Sequence, residues 1–530
     1  MSRPLHADYI VVGAGSAGAA LAARLSEDPH TDVLLLEAGG PDKALELHVP
    51  AAFSKLFRGP YDWNYDTVPQ EHLEGRTVYW PRGKTLGGSS SLNAMMWIRG
   101  FAADYDAWGD AAGPRWSWEG LAPYFRRVEN TQDAADETQG TAGPQHVEHQ
   151  RDPRPHTAAF LNAAREAGYP VTPANLPDAQ GFSQTMVTHD RGARASTADA
   201  YLRSASRRRN LRVITNALVR RVTFDGTRTT GVYVEIDGVT RHAVARREVI
   251  LCGGAVNTPQ LLQLSGIGPA DHLQDRGIHP FVDAPEVGAN LQDHLVAGLA
   301  PAAQGGTLYN AEKPIELVRY LTQRRGMLTS NVAEAYGFVR TDGGDGLPDI
   351  EIIFAAAPYV GEGLVPLPGE GITVGAILLQ PRSRGTVRLA SADPADKPLI
   401  DPGYLSDPAD AETLRAGLEV CERLIDTAAL RAVTTGAWVQ PAGGERMSAA
   451  ERAELSLRRY SHTLYHPVGT ARMGADAASV VDPELRVRGI EGLRVADASV
   501  MPQIIRGHTN APAIVIGEVA ADLIRGLSAR

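Results

Sequence analysis

Two histidines near the carboxyl end of the chain have the chemistry of a general base. His466 lies between Tyr465 and Pro467 in the stretch TLYHPVGTARMG, where no strand or helix pattern calls for a histidine. His508 lies in RGHTNAP. An imidazole in such a segment can be a structural group, a metal ligand or a base that titrates near physiological pH. No H-E-x-x-H or comparable ligand spacing surrounds either histidine, which argues against a metal site.

A second set of residues with recognisable chemistry opens the chain, in DYIVVGAGSAGAALAARLSEDPHTDVLLLEAGG. Gly13, Gly15 and Gly18 follow a short apolar strand at G-x-G-x-x-G spacing and lead into a helix. Such glycines let backbone N–H groups approach a pyrophosphate at the helix N-terminus. Glu37 ends the next strand, where an acidic side chain accepts hydrogen bonds from a ribose. The pattern predicts dinucleotide binding, and the acidic residue disfavours NADP.

The composition is that of a globular protein with more than one lobe. The chain has 530 residues, of which 43% are hydrophobic and 22% charged, and its net charge is −10. This acidic balance argues against general nucleic-acid binding. Cys252 and Cys421 lie far apart in apolar surroundings, which predicts a reducing compartment without a disulfide framework. Because MSRPLHAD lacks a signal-type core and no run of eighteen apolar residues occurs, we expect a cytoplasmic protein without an integral membrane segment.

The elements that must position these residues alternate between strands and helices. NLRVITNALVRRVTF, TTGVYVEI and GITVGAILLQP have the composition of strands, and REVILCGGAVNTPQLLQLSGIG predicts a strand, a glycine turn and a helix. APAIVIGEVAADLIRG predicts a final helix with a proline near its start and a glycine after it. The polar stretch 130–156 predicts a surface loop or a lobe junction. The nucleotide-binding half is therefore expected to combine N-terminal and C-terminal segments.

Several segments resemble the glucose–methanol–choline (GMC) oxidoreductases. The stretches GKTLGGSSSLNAMMWIRGFAADYD and GAVNTPQLLQLSGIG are similar to the two signature stretches of that family. YHPVGTARMG, VADASVMP and GHTNAPAIVIGEVAADLI are similar to its C-terminal blocks. The resemblance is collinear and spans nearly the whole chain. It implies an α/β protein, α+β overall, with a discontinuous Rossmann-type FAD-binding domain and a substrate domain built on an antiparallel sheet covered by helices.

The resemblance also implies where the two domains lie. The FAD-binding domain is expected in residues 1–155, which include a flavin-covering loop, and in residues 206–300 and 461–530. The last of these parts carries both histidines. The substrate domain is expected in residues 156–205 and 301–460.

The implied FAD site draws residues from both ends of the chain. Asn93 is expected to border the flavin, and Asp497 to accept hydrogen bonds from ribityl hydroxyls. The helix that begins near Asn510 is expected to direct its positive end at the flavin edge where negative charge develops on reduction. The expected cofactor-binding residues are Gly13, Gly15, Ser16, Ala17, Gly18, Glu37, Ala38, Gly87, Ser91, Asn93, Ala94, Met95, Val219, Asp497, Ala498, Asn510 and Pro512.

FAD is expected to be held without a covalent bond. Some relatives attach the flavin through a histidine in G-G-x-S-S-H-N, and the corresponding residue of GGSSSLN is Leu92. Leucine has no nucleophilic atom.

The implied reaction is the oxidation of an alcohol. His466 occupies the family's base position and is expected to remove the hydroxyl proton while a hydride passes to flavin N5. His508 is expected to share the substrate hydroxyl. The acceptor is oxygen or a quinone, and the absence of a membrane segment slightly favours oxygen. The alternatives are a cyanohydrin-cleaving lyase that retains FAD, a choline-type dehydrogenase or oxidase, and a non-enzymatic nucleotide-binding protein.

The residues expected to contact substrate favour an uncharged alcohol. Trp63, Tyr465 and Glu334 can supply aromatic and acidic groups for a quaternary ammonium ion. Choline-type enzymes, however, tend to carry a histidine at the position of Ile353. An apolar residue there favours a primary aliphatic or aryl alcohol. The sequence does not indicate an oligomeric state.

Overall fold

The computed structural model describes residues 5–178 and 180–527 of the chain. Two seven-stranded sheets organise the fold. Residues 1–4, the start of the MSRPLHAD stretch used for the cytoplasmic prediction, lie outside the described residues. Within the described ranges, no helix is long and apolar enough to cross a membrane.

The first sheet carries the glycine motif and is mainly parallel. Its strand Leu5–Val12 lies between Val33–Leu36 and Val239–Leu251, and both neighbours run parallel to it. The strands Leu211–Ile214 and Leu493–Val495 extend this parallel part. The strands Ala217–Asp225 and Arg228–Ile236 add an antiparallel hairpin. The continuous apolar runs YIVV and VLLL suit strands that are buried on both faces. The strands are Leu5–Val12, Val33–Leu36, Leu211–Ile214, Ala217–Asp225, Arg228–Ile236, Val239–Leu251 and Leu493–Val495.

Two helices from opposite ends of the chain pack together beside this sheet. Ser16–Leu25 begins directly after the glycine motif, and Asn510–Arg525 is the final helix. A Cβ added to Gly517 would lie 2.3 Å from the carbonyl oxygen of Ala17, so only glycine permits this approach of the two backbones. Arg24 pairs with the buried Glu518 at 2.9 Å across the same contact. The nucleotide-binding half therefore joins both chain ends, as the sequence predicts.

The second sheet is antiparallel throughout. Several of its residues form part of the wall of the cavity described below. The helix Pro408–Ile425 covers one face of this sheet through Leu414, Leu418 and Cys421. These side chains recur at the spacing of one helical face, which explains why they are buried together. The strands are Gly181–Gln184, Leu295–Ala303, Ala335–Val339, Ile350–Ala355, Thr373–Leu378, Thr434–Gln440 and His462–Thr463.

Shorter elements connect the two sheets. The other helices are Leu45–His48, Ala102–Ala112, Trp118–Val128, Pro155–Glu166, Arg203–Ala205, Gly254–Leu264, Ala270–Asp275, Pro314–Gln323, Ala428–Arg431 and Ala449–Leu455. The other strands are Tyr65–Asp66, Tyr79–Trp80, Glu129–Thr131, Gln145–His149, Met186–Val187, His189–Asp190, Ala193–Arg194, Ile267–Gly268, Val282–Asp283, Thr386–Arg388 and Leu399–Asp401.

The polar stretch 130–156 is not wholly a loop, so that prediction is wrong in part. It contains the strand Gln145–His149, which pairs with the strand Glu129–Thr131. Some of its polar residues are buried with hydrogen-bond partners. Gln139 Nε2, for example, donates to the Ala174 carbonyl at 3.0 Å, and Gln145 Nε2 donates to the Ala195 carbonyl at 2.9 Å. The domain boundaries themselves stay a prediction, and the strand Leu295–Ala303 crosses the expected boundary at residue 300.

Candidate active site

One cavity, of about 350 Å³, connects the glycine motif of the first sheet to both histidines. This volume lies within the range of small-molecule pockets. The cavity also receives side chains from the second sheet, so both sheets contribute to its wall. The expected site residues that line it are Gly13, Gly15, Ser16, Ala17, Glu37, Ala38, Trp63, Asn93, Ala94, Met95, Val219, Ile353, Tyr465, His466, Asp497, Ala498, His508 and Asn510.

The other expected cofactor-binding residues, Gly18, Gly87, Ser91 and Pro512, do not line the cavity. Gly18 packs against the motif, since a Cβ there would lie 2.0 Å from the carbonyl oxygen of Gly13. Gly87 has a positive φ of 85°, and a Cβ there would lie 2.3 Å from Ser91 Oγ. Ser91 donates its hydroxyl to the Leu86 carbonyl at 2.7 Å. Pro512 is buried in the first turn of the final helix. These residues shape the wall without lining it.

Glu334 is held away from the cavity by its own partners. Its carboxylate accepts hydrogen bonds from Ser330 Oγ at 2.6 Å, from Thr157 Oγ1 at 2.5 Å and from the Arg154 backbone at 2.6 Å. The side chain is fully buried, and burial raises the pKa of the Glu334 carboxyl. Glu334 therefore ties its segment to the helix Pro155–Glu166, and we leave it out of the proposed substrate contacts.

The glycine motif forms a cradle that a side chain would fill. Gly13 has a φ of +102°, and a Cβ there would lie 2.4 Å from the Cys252 carbonyl oxygen. A Cβ on Gly88 would lie 2.7 Å from Gly15 Cα. Ser16, at the start of the first helix, donates its hydroxyl to Asn510 Oδ1 at 2.7 Å, at the start of the final helix. Two helix N-termini thus face one cavity, where their amides and dipoles favour negative groups.

Glu37 and Asp497 supply oriented acceptors at the cavity wall. The two Glu37 oxygens accept one backbone N–H each, from Ala14 at 2.9 Å and from Gly39 at 2.8 Å. Burial raises the pKa of Glu37 to about 7. Each oxygen keeps a lone pair for a sugar hydroxyl. Asp497 is likewise buried, and burial raises its pKa. Together with the glycine cradle, this donor and acceptor set fits a dinucleotide with hydroxyl-bearing groups.

A third histidine, His294, lies behind His466 and was not foreseen from the sequence. Its ring centroid lies 5.2 Å from that of His466, and the His466 and His508 centroids lie 4.6 Å apart. His294 is fully buried at the start of the strand Leu295–Ala303. That strand pairs with His462–Thr463, which brings His294 beside His466. The sequence signal that could have pointed to His294 is the polar pair Asp293 and His294 directly before the apolar strand Leu295–Ala303.

The hydrogen bonds of His294 determine which nitrogen of His466 carries the proton. His294 Nε2 lies 3.0 Å from the Leu379 carbonyl, which can only accept, so this nitrogen is the donor. Burial lowers the pKa of His294 to about 3, so the ring is neutral and its Nδ1 is an acceptor. His466 Nδ1 lies 2.9 Å from that acceptor and must donate to it. His466 Nε2 is then left with a free lone pair.

His466 is kept neutral and is fixed through its backbone. Burial, together with the electrostatic effect of the neighbouring His508, His294 and Arg82, lowers the pKa of His466 well below its usual value. The backbone N–H of His466 donates to Asp293 Oδ1 at 2.8 Å. The preceding Tyr465 has a positive φ of 70°, which turns the chain sharply at this point. Asp293 and His294, adjacent in sequence, therefore hold the backbone and the ring of the same histidine.

His508 is paired with a buried carboxylate. Its Nε2 lies 3.2 Å and 3.3 Å from the two oxygens of Glu351, which is fully buried. No role for Glu351 was predicted from the sequence. A single charged residue in the apolar strand Ile350–Ala355 was the signal that could have indicated a buried partner. Glu351 and Ile353 lie two residues apart and so project from the same face of that strand.

The part of the cavity beside the histidines is aromatic and apolar. Phe53, Phe57 and Tyr465 line it, and the Phe57 and Tyr465 ring centroids lie 5.8 Å apart. Tyr359 and Tyr465 share a hydrogen bond of 2.8 Å between their hydroxyls. Among the described residues, no group of three or more His, Cys, Asp or Glu side chains is arranged to hold a metal ion.

Comparison with known proteins identifies the family. Models of the GMC oxidoreductases match residues 7–296 and 381–517. The chain belongs to the GMC oxidoreductase family. Members of this family bind FAD and act on CH–OH donors. The predicted family and fold class are thus confirmed.

Several relatives cover nearly the whole chain. An uncharacterized GMC-type oxidoreductase of Mycobacterium tuberculosis is 56% identical over 98% of this chain and 99% of its own. The alcohol dehydrogenase [acceptor] of Pseudomonas putida is 41% identical, covering 98% of this chain and 95% of the relative. The mitochondrial choline dehydrogenase of Homo sapiens is also 41% identical, covering 98% and 89%. The crystal structure of pyridoxine 4-oxidase from "Mesorbium loti" has a TM-score of 0.89 at 34% identity, covering 98% and 99%.

Proposed function

We propose that this GMC oxidoreductase oxidises an uncharged primary alcohol, aliphatic or aryl, to its aldehyde. The observation that carries the proposal is the His294–His466 hydrogen bond, which leaves His466 Nε2 as a free acceptor at the cavity. An acceptor of this kind is what the removal of a hydroxyl proton requires. Oxygen or a quinone-type acceptor completes the turnover.

In the proposed mechanism His466 is the general base. Bound FAD supplies the acceptor for the hydride that leaves the carbinol carbon. Loss of this hydride while the oxygen keeps its proton would give a protonated carbonyl, which is unfavourable, so His466 Nε2 takes the proton. His508 lies 4.6 Å from His466 between ring centroids, so it can bind the same substrate oxygen and stabilise developing negative charge there. Glu351 lies 3.2 Å from His508 Nε2 and orients the ring.

The residues around the histidines support an uncharged substrate. Ile353 lines the cavity where a choline-type enzyme tends to carry a histidine. Trp63 already faces a cation, because Lys84 Nζ lies 4.6 Å from its ring centroid. Glu334 is occupied by three hydrogen-bond donors away from the cavity. A quaternary ammonium ion would therefore lack both an open aromatic face at Trp63 and the carboxylate of Glu334.

FAD is proposed to bind without a covalent bond. Leu92 lines the cavity at the position of the family's attachment histidine and offers no nucleophile. The glycine cradle, Glu37 and the two helix N-termini supply the non-covalent contacts.

A choline-type activity is the second candidate, because a choline dehydrogenase is 41% identical to this chain. Anaerobic stopped-flow reduction of the bound flavin with benzyl alcohol, 1-hexanol and choline separates the two. We expect an uncharged alcohol to bleach the flavin with a larger kcat/KM than choline. A larger value for choline would overturn the proposed substrate class. Absence of reduction by any alcohol, with cleavage of a cyanohydrin, would establish the lyase alternative instead. Mixing the reduced enzyme with oxygen or a soluble quinone then identifies the acceptor.

A further inference from the structure

The helix Pro314–Gln323 turns its apolar face to solvent. Four of its ten residues are large, apolar and exposed. Ile315 is 65% exposed, Val318 54% and Leu321 52%, and these side chains follow one another at spacings of three residues. Together with Leu317 they form one stripe, here called the outer face. A surface helix of a globular protein normally shows the reverse arrangement, with its apolar stripe on the core.

The polar side of the same helix fixes it to the protein, so the outer face is not an accident of a loosely attached segment. Tyr320 is fully buried and donates its hydroxyl to the His48 carbonyl at 3.0 Å. Its ring packs with Val49 and Ala52. Glu316 accepts a hydrogen bond from the Met327 backbone at 2.8 Å. The helix is therefore held with its apolar stripe outward.

Basic residues surround the outer face. Lys313, Arg319 and Arg325 are exposed at or near the helix, and Lys55 is 54% exposed beside its start. These four residues are here called the basic rim. Three of the four are ion-paired: Lys55 with the exposed Glu312 at 3.0 Å, Arg319 with Glu316 at 4.0 Å and Arg325 with Asp152 at 2.9 Å. Glu316 and Asp152 expose only 12% and 19% of their side chains, whereas Arg319 and Arg325 expose 47% and 52%, so solvent reaches the basic partners of these two pairs more than the acidic ones. A basic rim is notable on a chain whose net charge is −10.

We propose that the outer face and the basic rim dock this protein on the surface of an anionic lipid bilayer. An apolar stripe flanked by Lys and Arg is the arrangement of helices that lie in the membrane interface without crossing it. A second copy of the chain is the less suitable occupant, since a stable protein interface needs roughly 20–30 residues a side, and like-charged rims would face each other. Basic side chains instead complement anionic headgroups.

The position of the outer face gives docking a consequence for the site. The helix rests through Tyr320 on the segment Pro50–Leu56, and Phe53 of that segment lines the cavity. The docked surface therefore adjoins the aromatic part of the cavity. Peripheral docking also removes the reason for favouring oxygen, since a quinone dissolved in the bilayer would lie near the enzyme. The docking proposal itself does not depend on the proposed alcohol oxidation.

Sedimentation with lipid vesicles tests the proposal on the full-length FAD-loaded protein. We expect binding to equimolar phosphatidylglycerol and phosphatidylcholine vesicles at low salt, weaker binding at high salt, and little binding to pure phosphatidylcholine. The double variant Val318→Asp/Leu321→Asp should lose binding. Val239→Asp is the matched control, since Val239 is 55% exposed in the first sheet, and it should bind like the wild type. Lys313→Gln/Arg319→Gln should weaken binding by about fivefold per residue.

The rate of flavin reduction, unchanged in every variant, would show that the variants are folded. Wild-type protein that fails to bind anionic vesicles would overturn the proposal. Equal losses in the double variant and in the Val239→Asp control would overturn it as well. Sedimentation velocity tests the alternative that a second copy of the chain covers the outer face. A wild-type dimer that does not bind vesicles, and that becomes a monomer in Val318→Asp/Leu321→Asp, would assign the outer face to a second copy.

Discussion

At the scale of single residues, the site combines three histidines with different partners. His294 and His466 are neutral, because burial lowers the pKa of each, whereas His508 faces the carboxylate of Glu351. In the proposed mechanism the neutral His466 is the base and His508 is a hydrogen-bond donor to the same substrate oxygen.

The first prediction distinguishes the two histidines that face the cavity. His466→Ala should retain its FAD spectrum while flavin reduction slows by about 10²–10⁴-fold, the usual contribution of a general base. His508→Ala should slow the same step less, and His508→Asn should recover part of the loss, since an amide can still donate a hydrogen bond. Anaerobic stopped-flow absorbance measures all three. Near-wild-type reduction by His466→Ala would make His466 a structural residue.

The second prediction concerns His294 as a positioning residue. His294→Ala removes the acceptor for His466 Nδ1–H and leaves the proton on His466 free to occupy either nitrogen. Loss of one buried hydrogen bond is worth about 1–3 kcal/mol, so reduction should slow by roughly 5- to 150-fold with KM little changed. His294→Asn restores an acceptor oxygen and should recover much of the rate. If Asn were no better than Ala, His294 would be a packing residue only.

The third prediction concerns the charge of Glu351. In the wild type the base is neutral well below the usual histidine range, so the reduction rate should stay level as pH falls from 8 towards 6. Glu351→Gln keeps the size of the side chain but removes its charge beside His508, so the variant should reduce flavin more slowly by roughly 10- to 150-fold near neutral pH. Anaerobic stopped-flow absorbance measures both.

Glu334→Gln is the control for this variant, since Glu334 is also a fully buried carboxylate but bonds to Ser330, Thr157 and Arg154 instead of His508. Its reduction rate should match the wild type. A wild-type rate in Glu351→Gln would show that the charge of Glu351 has no part in the reaction.

At the scale of elements, the sequence predicts repeated patterns well and pairings between distant segments poorly. The final helix was expected near Asn510 and begins at that residue, because an amphipathic run with a proline in its first turn is local information. His294 and Glu351 were missed for the opposite reason. Their positions depend on contacts between segments more than a hundred residues apart: Leu295 pairs with Thr463, and Glu351 contacts His508. Hydrophobic periodicity indicates on which face of a strand or helix a residue lies, but it does not indicate which distant segment packs against that face.

The fourth prediction tests the strand–turn–helix junction at Gly13. Gly13→Ala would put a Cβ 2.4 Å from the Cys252 carbonyl in a positive-φ conformation, so strand and turn must separate. We expect the purified variant to contain little FAD, as measured by the ratio of absorbance at 450 nm to that at 280 nm. Gly226→Ala is the matched control, with a φ of +54° and open space around the added Cβ. It should keep its FAD and lose about 1–2 kcal/mol of folding stability.

At the scale of the whole molecule, the cavity joins segments that are far apart in sequence. Its wall includes Gly13 from the start of the chain, Ile353 from the second sheet and His508 from near the end. A cofactor bound across this cavity would contact both sheets at once. Its binding free energy would therefore contribute to the stability of the whole chain rather than to one element.

The last prediction follows from this arrangement and from Leu92 at the attachment position. Acid precipitation should release yellow flavin into the supernatant, because Leu92 lines the cavity at the attachment position and has no nucleophilic atom. Protein stripped of FAD should unfold at a lower temperature, and added FAD should raise the midpoint in a concentration-dependent way. At a free concentration of about 100 times Kd the stabilisation should be about 2.7 kcal/mol. Differential scanning fluorimetry over a series of FAD concentrations measures this. A washed pellet that stays yellow, with a melting temperature insensitive to added FAD, would mean that the flavin is attached through another residue.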